Sequence, residues 1–148
     1  MSTSLAEPTA ASGSPSFTRF FPIAARLLLG LMFFVFGLNG FLNFIPPPTT
    51  PMPEASMAFA GALMATGYMM PLIKGVEVFC GLLLLVNRFV PLALTLLAPV
   101  IVNIVAFHVF LAPMGVVMTI IIALLEIYLA WAYRDAFRPM LAPRVRPS

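Results

Sequence analysis

Four long apolar segments dominate the chain and restrict the folds open to it. They cover about residues 22–44, 68–86, 90–111 and 113–133. A helix needs roughly 20 apolar residues to cross a bilayer, and it satisfies its own backbone hydrogen bonds, as the hydrocarbon core requires. The chain is 61% hydrophobic and 9% charged, whereas soluble domains carry about a quarter charged residues. The sequence therefore predicts an all-α integral membrane four-helix bundle.

A fifth, shorter helix is predicted between the first two spans. Three prolines at 46–48 end the first span, because proline cannot continue a helix. Pro53 followed by Glu54 is typical of a helix start. The apolar stretch 55–65 is too short to cross a bilayer, and Gly67 ends it. We expect an interfacial or re-entrant helix there.

The polar ends of the chain set the domain boundaries. Residues 1–19 are small and polar, which predicts a disordered tail and no cleaved signal. Residues 20–138 form one four-span domain, and residues 139–148 form a short basic tail.

Basic residues indicate the orientation in the membrane. With four spans, seven of the eight Lys and Arg residues fall on one side. They are Arg19, Arg26, Arg88, Arg134, Arg138, Arg144 and Arg146. By the positive-inside rule this side is cytoplasmic, so both termini are predicted to be cytoplasmic. The net charge of +3 is thus read as an orientation signal in a lipid bilayer, and we expect no nucleic-acid partner.

Six polar side chains are predicted to lie in the outer half of the bundle. They are Asn39, Asn43, Lys74, Glu77, Asn103 and His108. Ionisable groups inside a membrane commonly mark a ligand, proton or quinone pathway, so these residues are candidates for ligand binding. The alternative is structural: a local ion pair, helix-bridging amides and an interfacial histidine. Five residues turn a helix by about 140°, so Asn103 and His108 do not naturally share one face.

Arg26 and Glu126 form a separate polar layer in the inner half. They fall at nearly the same depth on the first and the last span, and an arginine fork suits a buried carboxylate. We expect a structural ion pair between them.

The rest of the sequence excludes several classes of chemistry. Cys80 is the only cysteine and His108 the only histidine, which excludes a disulfide within one chain, a thiolate metal centre and a haem with two histidine ligands from one chain. No flavin, nicotinamide or phosphate-loop motif is present. We therefore predict no metal site, and leave the cofactor and the catalytic residues unassigned.

Several stretches resemble the DoxX-like family of small four-helix bacterial membrane proteins. They are RLLLG at 26–30, FGLNGF at 36–41, KGVEVFCGLLLL at 74–85, NRFVPLALTLLAPVIVNIVAFH at 87–108 and LEIYLAWAYRDAFR at 125–138. The resemblance covers about residues 20–140. It implies a multi-pass protein of the bacterial inner membrane, with relatives linked to quinone-coupled sulfur oxidation, terminal oxidases and oxidative-stress defence, and others to assembly or to sterol and cargo binding.

Two functions follow as hypotheses. The first is a redox-associated accessory subunit that binds a quinone or small apolar ligand in the outer-half pocket, with a redox cofactor on a partner subunit. The second is a non-enzymatic lipid-binding or assembly protein. A transport role fits less well, because the two polar layers form no continuous path. Gly30 and Gly37 share one face of the first span, which suits either an internal contact or a homo-oligomer.

Overall fold

The computed structural model describes residues 20–144, and helices make up most of this range. Helix accounts for 78% of it, and these residues form no strand. The elements are α1 (Phe20–Leu42), α2 (Glu54–Ala65), α3 (Met69–Leu85), α4 (Val90–Phe110), a 3₁₀ turn (Pro113–Gly115), α5 (Val116–Ala132) and α6 (Arg134–Phe137). The predicted all-α class is confirmed for this range. The tail predicted to be disordered, residues 1–19, and residues 145–148 lie outside the described residues.

Three segments of the described chain are long and apolar enough to cross a membrane. They are α1, α4 and the stretch from Pro113 to Ala132. With 17 residues, α3 joins this set only together with α2, from which it is bent by 92°. By length and composition there are thus three spans, or four if the bent pair counts as one. Each predicted span overlaps one of the helices α1, α3, α4 and α5, and the ends differ by at most three residues.

An asparagine turn ends α1. The helix stops at Leu42 rather than at residue 44, because Asn43 adopts a φ of 50°. Asparagine enters this left-handed region more readily than most residues. Oδ1 of Asn39 accepts a hydrogen bond from the amide of Ile45 at 2.7 Å. Both asparagines therefore help to close the end of the helix.

The turn between α2 and α3 is held by a threonine. Oγ1 of Thr66 donates to the carbonyl of Leu63 at 2.7 Å and accepts from the amide of Met69 at 3.0 Å. Gly67 follows with a φ of 75°, a value that suits glycine. The short helix expected at 55–65 is present as α2, and it lies nearly perpendicular to α3.

Glycines bring α1 and α3 into the most extensive helix contact of the structure. A Cβ added at Gly37 would lie 2.9 Å from the Cβ of Glu77, and one at Gly81 would lie 2.5 Å from the backbone nitrogen of Phe34. Small residues let helix backbones approach this closely in membrane proteins. Gly30 also faces α3, so the predicted glycine face of α1 serves an internal contact.

The buried core lies where α1, α3, α4 and α5 meet. Its most buried members are Leu29, Phe33, Cys80, Leu84, Ala93, Leu94, Leu97 and Leu129. The outward surface is also apolar, and on α5 it includes Val117, Ile120, Leu124 and Ile127. Apolar patches of this extent are rare on soluble monomers, so the surface supports a membrane location.

Gly81→Ala is expected to lower the free energy of unfolding by about 1–3 kcal/mol, the usual cost of overpacking. The added methyl group would meet the backbone of α1, which cannot rotate away as a side chain can. Denaturant unfolding of the purified protein in detergent micelles measures the change. Gly75→Ala is the matched control on the same helix, because nothing lies within 4 Å of a Cβ at that position. Equal effects of the two substitutions would contradict the proposed role of the contact.

Candidate functional site

The candidate site is centred on an ion pair within α3. Lys74 and Glu77 are three residues apart, and Lys74 Nζ donates to Glu77 Oε2 at 2.8 Å. Glu77 is 3% exposed, whereas the side chain of Lys74 keeps 26% of its surface accessible. Gly37 and Gly40 of α1 pack against the two side chains. The glycines therefore let the α1 backbone cover the pair from one side.

Two cavities lie against this ion pair. One, of about 190 Å³, lies between α2, α3 and α4, and its lining includes Phe59, Ala60, Leu63, Met70, Ile73, Asn103, Ile104 and Phe107. The other, of about 350 Å³, lies among α1, α3, α4 and α5, and its lining includes Met32, Phe33, Phe36, Ile104 and Ile122. Lys74, Glu77 and His108 line both. Each cavity thus has an apolar wall and the same three polar groups.

His108 presents a defined edge to these cavities. Its Nδ1 lies 2.9 Å from the carbonyl oxygen of Ile104. A carbonyl only accepts hydrogen bonds, so Nδ1 carries the hydrogen and Nε2 of the neutral ring is left as an acceptor. The ring packs edge-on against Phe107, with centroids 5.2 Å apart.

Gly115 leaves the room that the histidine ring needs. A Cβ added at Gly115 would collide with Cδ2 and Nε2 of His108. A third cavity, of about 280 Å³, lies here and is lined by the proline-rich loop at 48–53, by Met114 and by His108. The imidazole therefore borders all three cavities at this end of the bundle.

Four of the six predicted ligand-binding residues come together. Lys74, Glu77, Asn103 and His108 all line the 190 Å³ cavity. Asn103 is an exposed residue of α4, yet it borders the same space as His108 despite their angular separation on the helix. Both residues border one cavity because it extends along α4 from Asn103 to His108.

The other two predicted ligand-binding residues lie elsewhere. Asn39 uses its side-chain oxygen on the amide of Ile45, and Asn43 is exposed in a left-handed turn. Neither lines one of the described cavities around His108. The structure places both residues at the end of α1, where they close the helix, because a helix end leaves backbone groups that nearby side chains satisfy. Their role in ligand binding stays a prediction.

The prediction of an ion pair between Arg26 and Glu126 is wrong. Within residues 20–144 the two side chains form no ion pair. Arg26 instead donates to the backbone carbonyls of Leu84 and Leu85 at the end of α3. The last carbonyls of a helix lack partners within it and attract positive charge, so they hold the guanidinium in place of the carboxylate.

The sequence did not predict which apolar residues line the cavities. Phe59 of α2 and Phe107 of α4 pack with ring centroids 5.7 Å apart beside the 190 Å³ cavity. Ile104 lines both main cavities. In segments that are apolar on all sides, such residues carry no signal that separates a cavity wall from a lipid-facing surface.

Comparisons with known proteins add no assignment, since no protein-family model, curated protein or solved structure matches the chain. Residues 20–144 also contain no cluster of three or more His, Cys, Asp and Glu side chains placed to hold a metal ion.

The neutral imidazole of His108 is expected to be the Nδ1–H tautomer, because Nδ1 faces the carbonyl of Ile104. Two-dimensional ¹⁵N–¹H spectroscopy of histidine-labelled protein in micelles measures the tautomer, and the single histidine gives one set of signals once any purification tag is removed. An Nε2–H tautomer would contradict the geometry. Gly115→Val is expected to shift these signals, since its side chain would displace the ring.

Proposed function

We propose that the chain is a small multi-pass membrane protein of DoxX-like type that binds a quinone or a similar small apolar molecule beside Lys74 and Glu77. The observation that carries the proposal is the partly buried ion pair at 2.8 Å, which lines two largely apolar cavities. Pockets for small molecules combine an apolar lining with a few placed polar groups, and this arrangement supplies both.

The polar groups suit a ligand with carbonyl or hydroxyl oxygens. Lys74 carries three donor hydrogens, and Glu77 takes up one of them. The remaining hydrogens can be donated to a carbonyl oxygen of the ligand. His108 lines the same cavity, and the Nε2 atom of its neutral ring can accept from a hydroxyl group. The two oxygens of a quinone, in its oxidised or reduced form, offer matching partners.

The larger cavity has a volume suited to such a ligand head. At about 350 Å³ it falls within the roughly 300–1,000 Å³ range of small-molecule pockets. Phe33 and Phe36 of α1 provide aromatic surface against which a flat ring can pack. These features support a ring-shaped apolar molecule over a strongly polar one.

In the proposed role the protein is an accessory subunit and not the whole electron-transfer unit. The sequence contains no flavin or nicotinamide motif, so a partner subunit would carry the redox cofactor. The chain would hold the ligand, and Glu77 or His108 would exchange protons with it. Binding or assembly without redox chemistry is the competing role, and the bound molecule distinguishes the two.

We further propose four spans with both termini in the cytoplasm of a bacterial inner membrane. In this arrangement α2 is an interfacial or re-entrant helix, and α3 crosses as the second span. The distribution of basic residues supports it. The site then lies in the outer half of the membrane, beside the loop that holds α2.

The purified protein is expected to carry a quinone, detected by absorption spectroscopy and by mass spectrometry of an organic extract. A protein that carries only phospholipid would overturn the quinone proposal and favour lipid binding or assembly.

The double variant Lys74→Met/Glu77→Leu is expected to lower the amount of bound quinone at least tenfold, because it removes the polar partners of the ligand. Replacing both charges leaves no unpaired ion, so the melting temperature should stay the same or rise. Methionine also keeps much of the lysine stem that packs against Gly40. Glu54→Gln is the control, since this carboxylate is exposed on α2. Full retention of the ligand by the double variant would show that the site lies elsewhere.

Cysteine labelling is expected to separate four spans from three. Cys80 is fully buried, so added cysteines can be probed on intact spheroplasts with a membrane-impermeant maleimide. Thr50→Cys should react, whereas Ala142→Cys should react only after the membrane is disrupted. If both react on intact spheroplasts, the C-terminus lies outside and the proposed four-span topology is wrong.

A further inference from the structure

Glu126 of α5 is a buried carboxyl group whose hydrogen bonding is incomplete. The residue is 8% exposed. Its Oε2 is buried and has no hydrogen-bond partner among the residues that the structure describes. Leaving a buried acceptor without a donor destabilises the folded protein, and the effect is larger for a charged group. A molecule bound beside Glu126 could supply the hydrogen-bond donor that the described residues do not provide.

A separate cavity lies against this carboxyl group. It has a volume of about 270 Å³ and lies between α4 and α5. Its other lining residues are all apolar: Ala98, Ile101, Val102, Val105, Ala123 and Ile127. Val102 and Ile127 are 67% and 65% exposed, so the cavity opens on the outer surface of the bundle. No lining residue is shared with the cavities beside Lys74.

We propose that this cavity binds an uncharged apolar molecule with a hydroxyl group, which donates its hydrogen to Glu126. The molecule enters sideways from the bilayer, because the opening lies on the apolar surface between the two helices. This site is independent of the one proposed for Lys74 and Glu77.

The chemistry of the lining selects the class of molecule. A buried water molecule needs 2–4 polar partners, and this lining offers one polar side chain. An ammonium group would lose its hydration against a wall of six apolar residues, with a single group to compensate it. A hydroxyl group costs much less to transfer and supplies a donor to the carboxyl group of Glu126, which lines the cavity.

The size of the cavity fits a modest apolar body. An engineered apolar cavity of about 150 Å³ is enough to take up benzene. The 270 Å³ beside Glu126 therefore has room for a ring or a short alkyl chain, and a longer chain can extend past Val102 and Ile127 into the bilayer. Phenols and medium-chain alcohols satisfy these conditions.

Photolabelling with a matched pair of probes tests the proposal. The probes are a diazirine derivative of octanol and the same diazirine on octane, each added to the full-length protein in lipid nanodiscs. The alcohol is expected to label residues 98–105 and 123–127 about tenfold more than the hydrocarbon, since one hydrogen bond to a carboxyl group is worth roughly 1.4 kcal/mol or more. Peptide mass spectrometry locates and quantifies the adducts.

Two variants separate the hydrogen bond from the cavity. Glu126→Leu should abolish the preference for the alcohol and keep labelling by octane, because only the acceptor is lost. Ala123→Phe should reduce labelling by both probes at least fivefold, because the ring fills the cavity. The double variant Lys74→Met/Glu77→Leu should leave the labelling unchanged, since both residues line the other site and neither charge is left unpaired. A thermal melt of each variant checks that the bundle stays folded.

Equal labelling of the wild-type protein by the alcohol and the hydrocarbon overturns the proposal, because the hydroxyl group would then contribute nothing. A preference that persists in Glu126→Leu also overturns it. If neither probe labels these residues, a lipid acyl chain or a neighbouring helix fills the cavity and the proposed ligand class is wrong.

Discussion

The close approach of α1 to α3 is the contact on which the rest of the arrangement depends. At Gly81 of α3 the nearest atoms of α1 are all backbone atoms, and at Gly37 of α1 the side chains of Glu77 and Val78 lie directly against the α1 backbone. Glu77 is consequently covered by the backbone of α1, and the hydrogen bond from Lys74 at 2.8 Å gives its buried carboxyl group a partner in a mostly apolar surrounding. A buried charge without its partner is strongly destabilising. The glycine contact and the ion pair therefore depend on each other, and Lys74 and Glu77 supply polar groups to the lining of both cavities.

The two proposed sites differ in how their carboxyl groups are satisfied. Glu77 is paired within its own helix, so a ligand beside it meets a balanced donor and acceptor set. Glu126 has an oxygen without a partner among the described residues, so a ligand beside it meets a single acceptor. This difference makes the first site suited to a molecule with more than one oxygen, and the second to a molecule with one donor. On these two proposals, the sites would take different classes of apolar molecule.

Much of the fold could be predicted from the sequence, since apolar length and helix-breaking residues are local properties. The helix before the prolines at 46–48, the short helix after Pro53 and the pairing of Lys74 with Glu77 all depend on residues close in sequence. The partners that Asn39 and Arg26 take could not be predicted in this way, because several groups compete for them. Asn39 accepts from the amide of Ile45, and Arg26 donates to helix carbonyls of α3. Equal depth in the membrane says that two side chains can meet, but it does not say which partner each of them takes.

Arg26 also bears on how a short helix can serve as a span. In the proposed four-span arrangement α3 crosses with 17 helical residues, about 25 Å at 1.5 Å per residue, whereas the hydrocarbon core is about 30 Å thick. Helix carbonyls that end inside hydrocarbon would lack water, and each unsatisfied group would cost several kcal/mol. The guanidinium of Arg26 donates hydrogen bonds to the carbonyls of Leu84 and Leu85. It thereby replaces the water that these carbonyls would lack in hydrocarbon. In the proposed arrangement, a side chain of α1 thus helps α3 to end inside the hydrocarbon core, so that α3 can cross although it is shorter than the core is thick.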